Sequence, residues 1–155
     1  MKLLCPWKPH VKRNLVEDRH QLKQPQLSGT PGWLLLTHEE GTPVAFFVDG
    51  NEKVEAVPLV MDERMFSDTV FRVVRISPRV LVVYDVRWFN GRNWFTTRSY
   101  DERFTLVKDM LNFFHHPDLT ALCVPDEAPA GSIVRGYEYY DDQPGTLGVF
   151  LPANE

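Results

Sequence analysis

Chemistry in this 155-residue chain would have to come from a short roll of side chains. The histidines come first. His115 and His116 stand side by side, and His38 precedes Glu39 and Glu40. His38-Glu39-Glu40 reads as a turn rather than a metal site. His115-His116 has no further ligand beside it and reads as the end of a helix, where positive charge complements the dipole. Cys5 and Cys123 lack metal spacing. Two lone thiols suit a reducing compartment, with a single disulfide as the alternative. No Ser/His/Asp set, glycine-rich phosphate loop or zinc spacing is present. Lys8-Pro9-His10-Val11-Lys12-Arg13 is a basic run. It reads as a solvated tail or, more sharply, as an arm that touches RNA or a protein partner.

Composition bounds what such residues could serve. Apolar content of 43% and charged content of 25% are those of an ordinary globular chain, long enough for one domain with a core. The formal net charge is −4. A general nucleic-acid coat or an anionic membrane partner is thereby disfavoured, and anion binding must come from a local basic cluster. No apolar run approaches the roughly 18 residues of a transmembrane helix. Met1-Lys2-Leu3-Leu4-Cys5-Pro6 is too soon broken to be a signal peptide. The expectation is an intracellular protein, cytoplasmic or nuclear, with no membrane partner and no cofactor.

The elements that must position any site are legible in order. Residues 1–25 carry Pro6, Pro9 and Pro25 and read as an arm with little packed structure, ahead of a single domain at 26–155. Gly32–Thr37 and Pro43–Val48 read as paired strands around a Glu39–Thr42 turn. Lys53–Val57 alternates, which predicts one wet face. Asp68–Ile76 should pair with a central strand, residues 79–89, through Ser77-Pro78. Asn90-Gly91 then supplies the positive φ of a tight hairpin. Trp88 and Trp94 flank that turn and could pair across it. Ser99 and Glu102 form a capping box, and Phe104, Val107, Leu111 and Phe114 recur at helical spacing. Leu119–Val124, Ile133–Tyr140 and Leu147–Leu151 complete the strands, with turns at 125–131 and 141–145. The fold class is α+β: a curved, mostly antiparallel sheet whose concave face is open and whose other face is covered by one main helix.

The block from Tyr84-Asp85 through Asn90-Gly91 to Ser99 and Arg103 resembles the middle of the mRNA-capping guanylyltransferase and nucleic-acid ligase superfamily. The likeness runs over residues 26 to 152 and is greatest to the snurportin cap-binding domain. What it implies is a nucleotidyltransferase-type fold without the oligonucleotide-binding domain that usually follows. The enzymes of that superfamily attack an α-phosphate with a lysine. Here Gln26 stands at the lysine position, Ser28 and Pro31 at its neighbours, and Lys23 is three residues out of register. The carboxylate positions are altered as well. Arg72 and Val74 replace one acidic pair, and Arg135 in Arg135-Gly136-Tyr137 replaces another carboxylate. Leu147–Pro152 holds no lysine where the enzymes have two.

By resemblance, then, the chain is not an enzyme. Guanidinium groups build no Mg²⁺ site, but their fixed fork of donors suits phosphate. The snurportin-like pocket implies Trp33 and Phe150 as base-stacking residues, with Arg72 and Arg135 as phosphate-binding residues. A methylated guanine is attracted to aromatic faces, at about 1–3 kcal/mol per stacked base. The plainer readings are core positions for Trp33 and Phe150 and surface charges for the two arginines. Two functions follow. One is a non-catalytic module for a capped or 5′-phosphorylated RNA end or a nucleotide. The other is a structural or interaction subunit of a larger assembly, its degenerate fold now making protein contacts.

Overall fold

The computed structural model describes residues 10–11 and 20–153, with side chains from residue 22 onward. In chain order the strands are β1 (His10–Val11), β2 (His20–Leu27), β3 (Thr30–Glu39), β4 (Thr42–Asp49), β5 (Val54–Ala56), β6 (Val60–Met61), β7 (Thr69–Ser77), β8 (Val80–Phe89) and β9 (Arg92–Asn93). Helix α1 (Tyr100–Phe114) follows, then β10 (His115–His116), β11 (Ala121–Cys123), β12 (Val134–Asp141) and β13 (Val149–Pro152).

The strands form a large sheet of order β11-β8-β7-β3-β4-β5, with β9 folded back on β8, and a smaller sheet of order β1-β13-β12-β2. A separate ribbon pairs β6 with β10. Pairing is mostly antiparallel; β11 joins β8 in parallel and β1 joins β13 in parallel. The expected α+β class with one helix is what the chain forms. Two tight turns set the meander. Glu40 and Gly41 take φ of 52° and 80°, and Asn90 and Gly91 take 46° and 81°, the conformations that short hairpins demand.

Apolar residues of the large sheet divide by face. Leu34, Leu36, Phe47, Phe71, Val73 and Val83 pack with Val107 and Met110 of α1. Val74, Val82 and Tyr84 on the opposite face pack with Leu27 of the smaller sheet. Alternation along each strand makes this division, because successive side chains point to opposite faces. The helix covers one face, as expected. The other face is covered too, by the smaller sheet, so it is not an open concavity.

Other expectations are corrected. Residues 20–25, assigned to an arm, lie in β2 and pair with β12; the rest of the arm, apart from His10–Val11, lies outside the described residues. Strand β5 is exposed at every position, so its alternation does not mark a half-buried strand. Helix α1 begins with the predicted capping box, Ser99 and Glu102 each satisfying the other's backbone N–H. Its buried residues, however, are Tyr100, Arg103, Val107 and Met110. Phe104, Leu111 and Phe114 lie on the half-buried flank. An arginine scores as polar in an apolar count, and only its partner across the fold makes it an interior residue.

Candidate functional site

The site begins with a row of side chains across the large sheet. Arg72 on β7 lies opposite Trp33 on β3 and opposite Asp85 on β8. The β7–β8 register slips here, since Arg72 meets Asp85 while the next residue, Val73, meets Val83. Tyr84 is the extra residue of a bulge, a device that re-aims side chains. Trp33, Arg72 and Asp85 therefore share the face turned toward the smaller sheet.

Glu138 meets Arg72 from that sheet. It occupies an inward position of β12, between Gly136 and Tyr140, while Arg135, Tyr137 and Tyr139 fall on the other phase. Arg72 Nη1 and Nη2 donate to its two oxygens at 2.7 Å each. Gln26 Nε2 donates to Oε2 at 2.7 Å, and the Tyr140 hydroxyl donates to Oε1. Four donors fill the roughly four acceptor sites of one carboxylate. Arg72 also donates to the Tyr140 hydroxyl at 3.1 Å and lies 5.0 Å from the centre of the Tyr84 ring. Burial alone would raise the pKa of Glu138. The neighbouring Arg72 charge and the hydrogen bonds outweigh burial and hold it below the ordinary carboxylate value.

Asp85 anchors a second cluster. Arg103 of α1 donates to it through Nε at 2.8 Å and Nη2 at 3.1 Å, and Arg87 donates through Nε at 2.9 Å. Arg103 Nη1 also donates to the carbonyls of Arg98, at 2.8 Å, and Phe95. Arg87 lies over the rings of Phe95 and Trp33. Burial leads in lowering the pKa of Arg87, aided by the nearby Arg72 and Arg103 charges.

Three tyrosines close the space between the clusters. Tyr100 and Tyr140 stack with centroids 3.8 Å apart. The Tyr100 hydroxyl donates to the Tyr84 carbonyl at 2.8 Å, beyond the stretch of β8 that β11 covers. Tyr84 donates to Pro25 O at 2.7 Å and accepts from Leu27 N at 3.0 Å, fastening β2 to the large sheet. Burial raises the pKa of all three, reinforced by the carboxylates nearby.

Of the four predicted site residues, three are enclosed. Trp33 is 4%, Phe150 7% and Arg72 2% exposed, and Glu138 is fully buried. Phe150 lies opposite Glu138 in the smaller sheet. Arg135 is exposed, its guanidinium 6.0 Å from the Phe150 ring. The four thus line no open cleft: the space between the sheets beside Trp33 and Arg72 is filled by Glu138, Tyr140 and Tyr100. Neither a protein-family model nor a curated protein matches this chain. Its function must be read from the geometry.

The sequence reading missed Glu138, Tyr140, Arg87 and Arg103 as interior chemistry. The phase of β12 carried the signal, because Gly136, Glu138 and Tyr140 fall on one face. His115 needs a further correction. Its Nε2 accepts Leu122 N–H at 3.0 Å, and burial lowers its pKa, so it ends the helix as a neutral acceptor rather than a cation. His116 is exposed, 3.3 Å from Asp118. Trp94 packs edge-on against Phe89 at 5.7 Å, instead of against Trp88. Among the described residues no group of three His, Cys, Asp or Glu side chains could hold a metal ion. No described helix is long and apolar enough to cross a membrane. Recesses among the described residues include an apolar one of about 830 Å³ against Val44, Val57, Leu59, Met61 and Phe66, and one of about 680 Å³ at the β8–β9 hairpin.

Proposed function

We propose that this chain is a non-catalytic structural or interaction subunit of a larger assembly, built on a degenerate nucleotidyltransferase-like fold. One observation carries the reading. The arginine fork that would receive a phosphate is occupied by the chain's own carboxylate, and that carboxylate has no acceptor site left. An internal anion bridging two sheets fixes how they meet. Support also comes from Gln26, at the position where the resemblance requires a lysine. Its amide donates to Glu138 and is no nucleophile for phosphoryl transfer.

Incubation with labelled GTP or ATP and Mg²⁺ or Mn²⁺ is expected to leave no labelled band after denaturing electrophoresis; a band that survives boiling sinks the non-catalytic reading. The chain isolated from its native source is expected to migrate well above its own 18.0 kDa mass. Recovery of the chain alone counts against an assembly subunit.

Binding of a capped or 5′-phosphorylated RNA end keeps one point in its favour. Trp33 and Arg72 do stand side by side on the face between the sheets. Titration with a cap analogue and with GTP decides between the readings. The interaction-subunit reading expects no saturable binding. Binding abolished by Trp33→Phe or by the paired change Arg72→Met/Glu138→Leu would establish the cap-binding reading instead.

A further inference from the structure

The β8–β9 hairpin and the loop leading into α1 hold a cluster that the interior networks do not use. Residues 86–100 contain Arg87, Arg92 and Arg98 and no carboxylate, in a chain whose net charge is −4. Arg87 is buried on Asp85, whereas Arg92 and Arg98 are exposed. The recess of about 680 Å³ is bordered by Phe89, Trp94, Asn90, Asn93, Arg92 and Arg98, and no acidic residue lines it. That volume is within the roughly 300–1,000 Å³ of small-ligand sites.

The chemistry facing the recess is that of donors and one aromatic system. Trp94 is half-buried, its ring nearly perpendicular to that of Phe89 at 5.7 Å and the Arg98 guanidinium over it, 4.7 Å from the ring centre. Asn90 Oδ1 accepts from the Thr69 hydroxyl and Asn93 Oδ1 from Thr96 N–H, both at 3.1 Å. What each asparagine has left is its NH₂ group, a donor. The ion pair of Arg98 to Glu102 is long, at 3.8 Å between half-exposed side chains, while Glu102 Oε1 is engaged at the helix cap.

The frame around these groups is fixed. Trp94 N–H and Phe95 N–H donate to the Arg87 carbonyl, at 3.0 and 3.1 Å. Arg98 N–H donates to Trp94 O at 3.0 Å, the Thr97 hydroxyl donates to Asn93 O at 2.6 Å, and Gly145 N–H donates to Phe95 O at 2.7 Å. Arg103 grips the loop carbonyls from beneath. A preformed site of this kind loses little ordering entropy on binding.

We propose that this recess binds single-stranded nucleic acid, one base stacking on Trp94 and the flanking phosphates held by Arg92 and Arg98. Arginine forks match phosphate, and an indole face accepts any unstacked base. A duplex hides its base faces, and an acidic peptide has none to offer. The site is a local basic cluster of the kind that anion binding by an acidic chain requires, and it is independent of the closed space between the sheets.

The test is fluorescence anisotropy of the whole chain with a labelled oligouridine and a labelled oligothymidine at low salt. Both are expected to bind, with affinity falling as salt rises. Arg92→Glu/Arg98→Glu should weaken binding at least about tenfold and lower the slope of log affinity against log salt by about 1.4, roughly 0.7 for each single-strand phosphate. Trp94→Ala should weaken binding about five- to 150-fold and leave that slope unchanged. Trp94→Phe, which keeps a ring against Phe89, should retain most of the affinity and guards against a folding artefact. Free UTP, a duplex of the same length and a polyglutamate peptide should each bind at least about tenfold more weakly. Absence of binding, binding indifferent to the arginine reversal, or polyglutamate binding that equals the oligonucleotides would each overturn the proposal.

Discussion

The two faces of the large sheet are buried to similar depth by opposite means. Against α1, Leu34, Leu36, Phe71, Val73 and Val83 meet Val107 and Met110, and the cohesion is apolar burial. On the face turned toward the smaller sheet, Arg72 meets Glu138 of that sheet, Asp85 holds Arg87 and takes Arg103 from the first turn of α1, and the tyrosines fill what is left. Apolar contact is non-directional and tolerates a volume-conserving exchange. A carboxylate with four donors admits one geometry. The first face supplies cohesion; the second fixes how the sheets meet. A buried ion pair that specifies an arrangement need not add stability over an apolar substitute.

That contrast can be broken most sharply at Glu138. Glu138→Ala leaves the Arg72 charge buried beside an emptied space and should cost about 3–5 kcal/mol in denaturant unfolding. The paired change Arg72→Met/Glu138→Leu should recover at least half of that loss; a double variant as unstable as the single one would mean that the network carries stability as well as geometry. On the helix side, Met110→Ala should cost about 2–5 kcal/mol, and Leu111→Ala clearly less because Leu111 lies on the half-buried flank. A larger effect at Leu111 would restore the face that apolar spacing predicts.

Smaller effects sharpen the comparison. Ser99→Ala removes the cap that orients Tyr100 and Arg103 and should cost about 0.5–2 kcal/mol. Acid should act on the polar face first. The pKa of Glu138 is depressed in the folded chain, so its contribution is complete above the unfolded value of about 4.3 and is lost as pH falls through the lower folded value. Stability measured from pH 6 down to pH 2 should therefore fall less steeply in Glu138→Gln, although that variant starts lower. Parallel curves would place the acid sensitivity elsewhere.

Much of the fold was legible in the sequence because its signals are local. Asn90-Gly91, the Ser99–Glu102 box and the β-branched run of β8 each need only neighbours in the chain. The interior charges were not legible, because their partners are remote. Arg72 and Glu138 are 66 residues apart, and Gln26 and Glu138 are 112 apart. Nothing near Arg72 in the chain announces that it is paired; a lone arginine on a strand reads as a surface or ligand-binding group. The same blindness rotated the helix, since Arg103 becomes an interior residue only through Asp85. Trp33, read as a base-stacking or a core residue, lies 4% exposed on the face between the sheets. What spacing could not supply was the second sheet lying over it.

The smaller sheet is assembled from distant stretches of chain, β2 from its early part and β12 and β13 from its late part. The meander from β3 to β8 has its partners close in sequence and can pair while the chain is still leaving the ribosome. Strand β2 has no such neighbour; its hydrogen-bonding edge and the Arg72 face wait until residues 134–152 are made. Closure of long loops is slow, and unpaired strand edges invite association. A nascent chain halted before β12 should therefore be a client for chaperones, and proofreading of the fold falls to the moment when Glu138 finds Arg72.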